Sequence, residues 1–78
     1  MSHGKIEKFA KMANQIGDAF ASLRPEEGAQ AVATHIHKFW TPKMIAETLA
    51  AIDSGEVKLR ETANAGFVIL RRQQATAA

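Results

Sequence analysis

His35-Ile36-His37-Lys38-Phe39-Trp40-Thr41-Pro42-Lys43-Met44 is the stretch on which the fold turns. It holds the only tryptophan of the chain, one of its two prolines and two of its three histidines. Proline at 42 disfavours the α conformation at Thr41, so a helix arriving from the N-terminal side is expected to stop near Trp40. Pro42 suits the first position of a following helix, where its missing N–H is no loss. Thr41 then becomes the N-cap, its hydroxyl accepting from a backbone N–H one turn in. Phe39, Trp40 and Met44 crowd large apolar groups around this corner. The stretch reads as a fixed joint between two helices.

Upstream of the joint, Pro25 opens a helix over residues 25–40, with Glu26 and Glu27 in the first turn, where carboxylates suit the helix dipole. Ala29, Val32, Ile36, Phe39 and Trp40 recur at steps of three and four and form its buried stripe. Gly28 weakens the first turns, so firm helix is expected from about Ala29 onward. The link Ser22-Leu23-Arg24 is so short that this helix must form an antiparallel or sharply angled hairpin with a first helix over residues 5–21. The first stripe is Ile6, Phe9, Ala13, Ile16 and Phe20, flanked by Ala10 and Gly17 on one side and Met12 on the other. Gly17 costs about 1 kcal/mol against alanine within a helix. Its place beside the stripe implies that another backbone approaches closely there.

Downstream, a third helix is expected over residues 42–53, with Ile45, Thr48, Leu49 and Ile52 inward and Gly55 as the left-handed stop. Met44 lies to one side of that stripe, toward Ala51, on a side open to a partner. Past Gly55 two readings stand. Leu59, Ala63, Gly66, Phe67 and Leu70 make a fourth helical stripe over residues 58–72. Val57–Arg60 and Phe67–Leu70 also have the composition of two short strands. A lone hairpin is marginal in water, and three helices offer no sheet to join, so the helix is favoured. Residues 73–78 carry no large apolar group and read as a tail. The expected architecture is all-α: one domain over residues 1–78, with three helices and a fourth at the C-terminal end.

A length of 78 residues allows a single small domain, which buries only about 60% of its unfolded surface. With no cysteine, disulfides and thiolate metal sites are excluded as staples. No stretch approaches the roughly 18 apolar residues of a membrane span, and the N-terminus lacks a basic-then-apolar leader. A cytoplasmic chain that does not enter membranes is expected. The net charge of +2 is mild, so basic residues matter only if they form a face.

The chemistry open to these residues is limited. Positions two apart on a helix point about 200° from each other, so His35 and His37 cannot share one ion. His35 is expected at the edge of its stripe, while His37 points away from it. No serine or threonine sits in a nucleophile motif, and no glycine-rich phosphate loop follows a strand. Catalytic, cofactor-binding and metal-ligating residues are all expected to be absent. A helix-turn-helix DNA reader would present Lys43, Ala46, Glu47 and Ala50 to the groove, a face poor in groups for phosphates or base edges. Arg71 and Arg72 suit the C-terminal end of the fourth helix. Nucleic acid is therefore not expected as a partner.

Two motifs resemble a known family. Met12-Ala13-Asn14-Gln15-Ile16-Gly17 followed by Phe20, and then His35-Ile36-x-x-Phe39-Trp40-x-Pro42-x-Met44, are similar to the delta subunit of NAD-dependent formate dehydrogenase. The resemblance covers about Ile6 to Gly55 and thins downstream to Gly55 and Leu59. It implies a non-catalytic subunit that accompanies the large catalytic subunit of a cytoplasmic, multi-subunit enzyme oxidising formate and reducing NAD. Molybdenum or tungsten pterin, iron–sulfur clusters, flavin and NAD would be held by other chains of that complex, and none by this one. The implied role is to stabilise or help assemble the catalytic subunit. A dissociable chaperone for insertion of the metal–pterin group is the alternative, and a small helix-turn-helix protein a more remote one. Asn14, Gln15, His37, Trp40 and Met44 are the expected contact residues, Trp40 serving either as core alone or as a half-exposed anchor as well. Exposed apolar anchors also lead to the expectation of a homodimer when the chain is isolated.

Overall fold

The computed structural model describes residues 3–77, and side chains for residues 4–74. Four helices follow in chain order: α1 (His3–Phe20), α2 (Pro25–Phe39), α3 (Pro42–Ser54) and α4 (Glu61–Ala77). No strand occurs among the described residues, and the fold is all-α. No helix among them is long and apolar enough to cross a membrane.

The corner at Thr41-Pro42 forms as its residues dictate. Trp40 leaves the helical path at φ −97° and ψ 149°, its N–H still donating to the Ile36 carbonyl at 2.8 Å. Thr41 is extended, and its hydroxyl accepts from the Met44 N–H at 3.1 Å, capping α3. At the other end of α3, Gly55 takes φ +80°. The Gly55 and Glu56 N–H groups donate back to Ile52 and Ala51, the paired bonds of a left-handed stop. Within α3, the fully buried Thr48 hydroxyl donates to the Met44 carbonyl at 2.9 Å, so its burial leaves no orphan group.

The core gathers Val32, Ala33 and Ile36 of α2, Ala63, Phe67 and Leu70 of α4, Ala13 of α1, and Ile45 and Leu49 of α3. Trp40 and Leu59 join it from the links. The Trp40 ring lies 5.7 Å from Phe9 and 5.9 Å from Phe67 between ring centres, the second pair edge to face. The α2–α4 pair is the most extensively packed, and α1 lies against both. Close approach is possible because small residues stand at the crossings. A β-carbon at Gly17 would sit 2.8 Å from the Ala63 backbone nitrogen, and one at Gly66 would sit 2.7 Å from the Val32 β-carbon. The backbone that the sequence requires near Gly17 is that of α4.

Tertiary packing overrides the sequence in several places. Helix α2 is intact from Pro25 through Gly28, which is buried, instead of firming only at Ala29. The Phe20 carbonyl would lie 2.9 Å from a β-carbon at Gly28, so the missing side chain admits the end of α1. Helix α4 begins at Glu61, later than residue 58, and continues to Ala77 through most of the expected tail. Position 78 lies outside the described residues. At this start the Asn14 side-chain oxygen of α1 accepts the Arg60 N–H at 2.8 Å, and the first helical bond runs from the Asn64 N–H to the Arg60 carbonyl.

Ion pairs at the surface join elements distant in sequence. Arg60 forms a two-pronged pair with Asp18 (2.7 and 3.2 Å), and Arg71 another with Asp53 (2.6 and 2.9 Å). Lys5 meets Glu47 at 3.0 Å. Arg71 thus joins α4 to the end of α3, a different use from the helix-end role its position suggested.

Candidate protein-docking face

Which flank of each helix turns inward decides what is left outside. In α1 the deeply buried positions are Ile6, Ala13 and Gly17, while Met12, Ile16 and Phe20 are only half-buried. Helix α4 covers the Gly17 side, and the opposite edge of the apolar stripe stays half-buried. In α2 the inward positions are Gly28, Ala29, Val32, Ala33 and Ile36. Phe39 falls on the flank of α2 that carries His35.

Phe39 is 65% exposed, the most exposed large apolar side chain among the described residues. This corrects its expected place in the buried stripe of α2. Around the axis Phe39 lies only about 20° from the fully buried Val32, so its exposure follows from its place at the end of the helix and not from its angle. The ring is not loose, however. It lies 4.7 Å from the half-buried His35 imidazole, and the Lys38 ammonium stands 5.7 Å from its centre. Such exposed cation–ring contacts are worth about 0.5–1 kcal/mol.

Two shallow, adjoining hollows make this flank concave. One runs along the outside of α2 from Phe20 past Ala31 and Thr34 to Phe39. The other joins Met12, Ile16, Ala19 and Phe20 of α1 to His35 of α2. The result is an apolar trough bordered by Glu26 and Glu27 at one end and Lys38 at the other. It has the composition of a protein-docking surface: rings and a methionine at the centre, charge at the rim.

The five contact residues expected from the sequence do not converge. Asn14 and Gln15 share a polar hollow with Lys11, Val57, Lys58 and Arg60, and the Asn14 amide is engaged by Arg60. Gln15 also borders the apolar trough. His37 is exposed and lines a separate recess with Pro42, Leu70 and Gln73. Met44 is half-buried against the core. Trp40 is only 6% exposed, so it is a core ring and not a half-exposed anchor. Sequence reasoning missed Phe39 as the outward ring of the pair. The angle around the helix carried no signal for this, since it is nearly that of the fully buried Val32.

Among the described residues no group of three or more metal-ligating side chains is brought together. A family model described as NADH-dependant formate dehydrogenase delta subunit FdsD matches residues 8–66. No curated protein and no solved structure matches the chain.

Proposed function

The chain belongs to the NADH-dependant formate dehydrogenase delta subunit family FdsD, and from that premise we propose that it binds the large catalytic subunit of formate dehydrogenase as a non-catalytic partner. Its contribution is to stabilise that subunit or help it assemble in the cytoplasm. On this reading the molybdenum or tungsten pterin, iron–sulfur clusters, flavin and NAD are all carried by other chains.

The observation that carries the docking assignment is Phe39, 65% exposed in a hollow with Phe20 and His35 that adjoins the one lined by Met12 and Ile16. A small chain has little apolar surface to spare, and a ring left in water at the mouth of a trough favours association. Gln15 contributes at the polar edge of the same trough. Asn14, Trp40 and Met44 act on it through the fold, by holding α4, the corner and α3 in place. His37 lies at a second recess and is assigned no part in the central contact.

Co-expression of a tagged catalytic subunit with this chain tests the proposal. The wild-type chain is expected to co-purify in equimolar proportion, as befits a structural subunit. Phe39→Ser is expected to weaken retention at least about tenfold, the effect of losing an anchoring ring, with the helical circular-dichroism signal unchanged. Failure of the wild-type chain to co-purify would overturn the subunit reading. Retention of Phe39→Ser at the wild-type level would overturn the docking face.

A further inference from the structure

The outer face of α2 carries a pattern that is its own complement. Glu27, Ala31, Thr34 and Lys38 succeed one another at steps of three and four, so they share one side of the helix. All are exposed except the half-buried Ala31. Two carboxylates, Glu26 and Glu27, occupy the first turn, and Lys38 occupies the last. The acidic and basic ends are separated by three turns, about 16 Å. Ala31 and Thr34 lie midway and are small enough for another helix to approach within about 8–10 Å between axes.

Reversing this face end for end superimposes it on its complement. Position 27 falls on 38 and position 31 on 34, so a two-fold axis midway along the helix sets each acidic end against a basic one. The trough follows the same line, with Phe20 near the acidic end and Phe39 near the basic end. A two-fold contact needs one patch to complement itself, and this face does so in charge and in the placing of its rings.

We propose that the free chain forms a two-fold homodimer by antiparallel packing of α2 on α2. Glu26 and Glu27 of each copy face Lys38 of the other, and Phe39 of each enters the Phe20 end of the opposite trough. The rings and the small central residues supply the buried surface. The charges fix direction, because a parallel arrangement would set like charges together at both ends. This inference uses the face assigned above to the catalytic subunit but rests on the charge pattern of α2 and the two rings of its trough.

Sedimentation of the purified full chain over a range of concentrations tests it, with two charge variants. Wild type is expected to be a dimer in reversible exchange with monomer. Glu26→Lys/Glu27→Lys and Lys38→Glu are each expected to weaken dimerisation at least about tenfold, since each creates like-charge pairs at both ends. Mixing the two variants is expected to restore a heterodimer, because opposite charges then meet at both ends again. All three positions are exposed, so the helical signal serves as a check that the fold is unchanged. A wild-type chain that stays monomeric at every concentration overturns the proposal. So does a dimer indifferent to both variants, or a mixture no better associated than its components. Because no catalytic subunit is present, these outcomes are independent of the co-purification experiment.

Discussion

Phe39 and Trp40 are neighbours in the chain, but the break in the backbone at Trp40 sends their rings to opposite sides of the corner. Trp40 packs between Phe9 and Phe67, while Phe39 stands 65% exposed. Trp40→Ala is therefore expected to cost about 3–5 kcal/mol, measured as a lowered urea midpoint. Phe39→Ala should stay within about 0.5 kcal/mol of wild type. Equal losses at the two positions would contradict the assignment of inner and outer rings. Asn14 makes a similar point for a polar residue. Its amide stands out in the sequence as polar specificity at the edge of an apolar stripe, which suggested an external partner. Its side-chain oxygen has an internal use as well, accepting the Arg60 N–H at 2.8 Å. Asn14→Ala is expected to destabilise by about 0.5–1.5 kcal/mol, the range for losing one hydrogen bond, while Asn14→Asp retains the acceptor and should lose less.

Helix packing turns on two glycines that cost stability locally and permit it globally. Exchanging glycine for alanine within a helix normally gains about 1 kcal/mol. At Gly66 the added methyl would collide with Val32, and at Gly17 with the Ala63 backbone, which cannot move without shifting α4. Overpacking of this kind costs about 1–3 kcal/mol. Gly17→Ala and Gly66→Ala are therefore expected to lower the melting temperature. Gly4→Ala, where nothing lies within 4 Å, is expected to raise it slightly. The three melting curves together separate packing from propensity. A rise in all three would mean that α4 does not approach as closely as it is placed. The close approach at Gly17 was legible from its place beside a stripe. The approaching element was not, because periodicity carries no information about which helix lies opposite.

Across the whole molecule, surface ion pairs join elements distant in sequence but supply little of the stability. The side chains of Arg60–Asp18 and Arg71–Asp53 are all about half exposed, and such pairs contribute about 0–1 kcal/mol each. The hydrogen bonds that Arg71 donates to Asp53 raise its pKa further above its already high value. A raised basic group contributes fully below its unfolded pKa and loses that contribution only as pH rises through the folded one. Arg71 therefore introduces no pH dependence near neutrality, and unfolding followed from pH 6 to 9 should show none that Arg71→Gln removes. What the sequence determined by itself was local: the Pro42 corner, the Thr41 cap, the Gly55 stop, the helical periods that make an all-α chain, and the motifs that carry its family. These depend on backbone sterics and on residues within a turn of one another. The tertiary structure alone decided where α4 starts and ends, which edge of each stripe is covered, and hence that Phe39 faces outward while Trp40 is enclosed. An apolar stripe spans about 100° or more of a helix, so its period fixes a direction only to within that width. Which part of it meets water is settled by where the other helices come to rest.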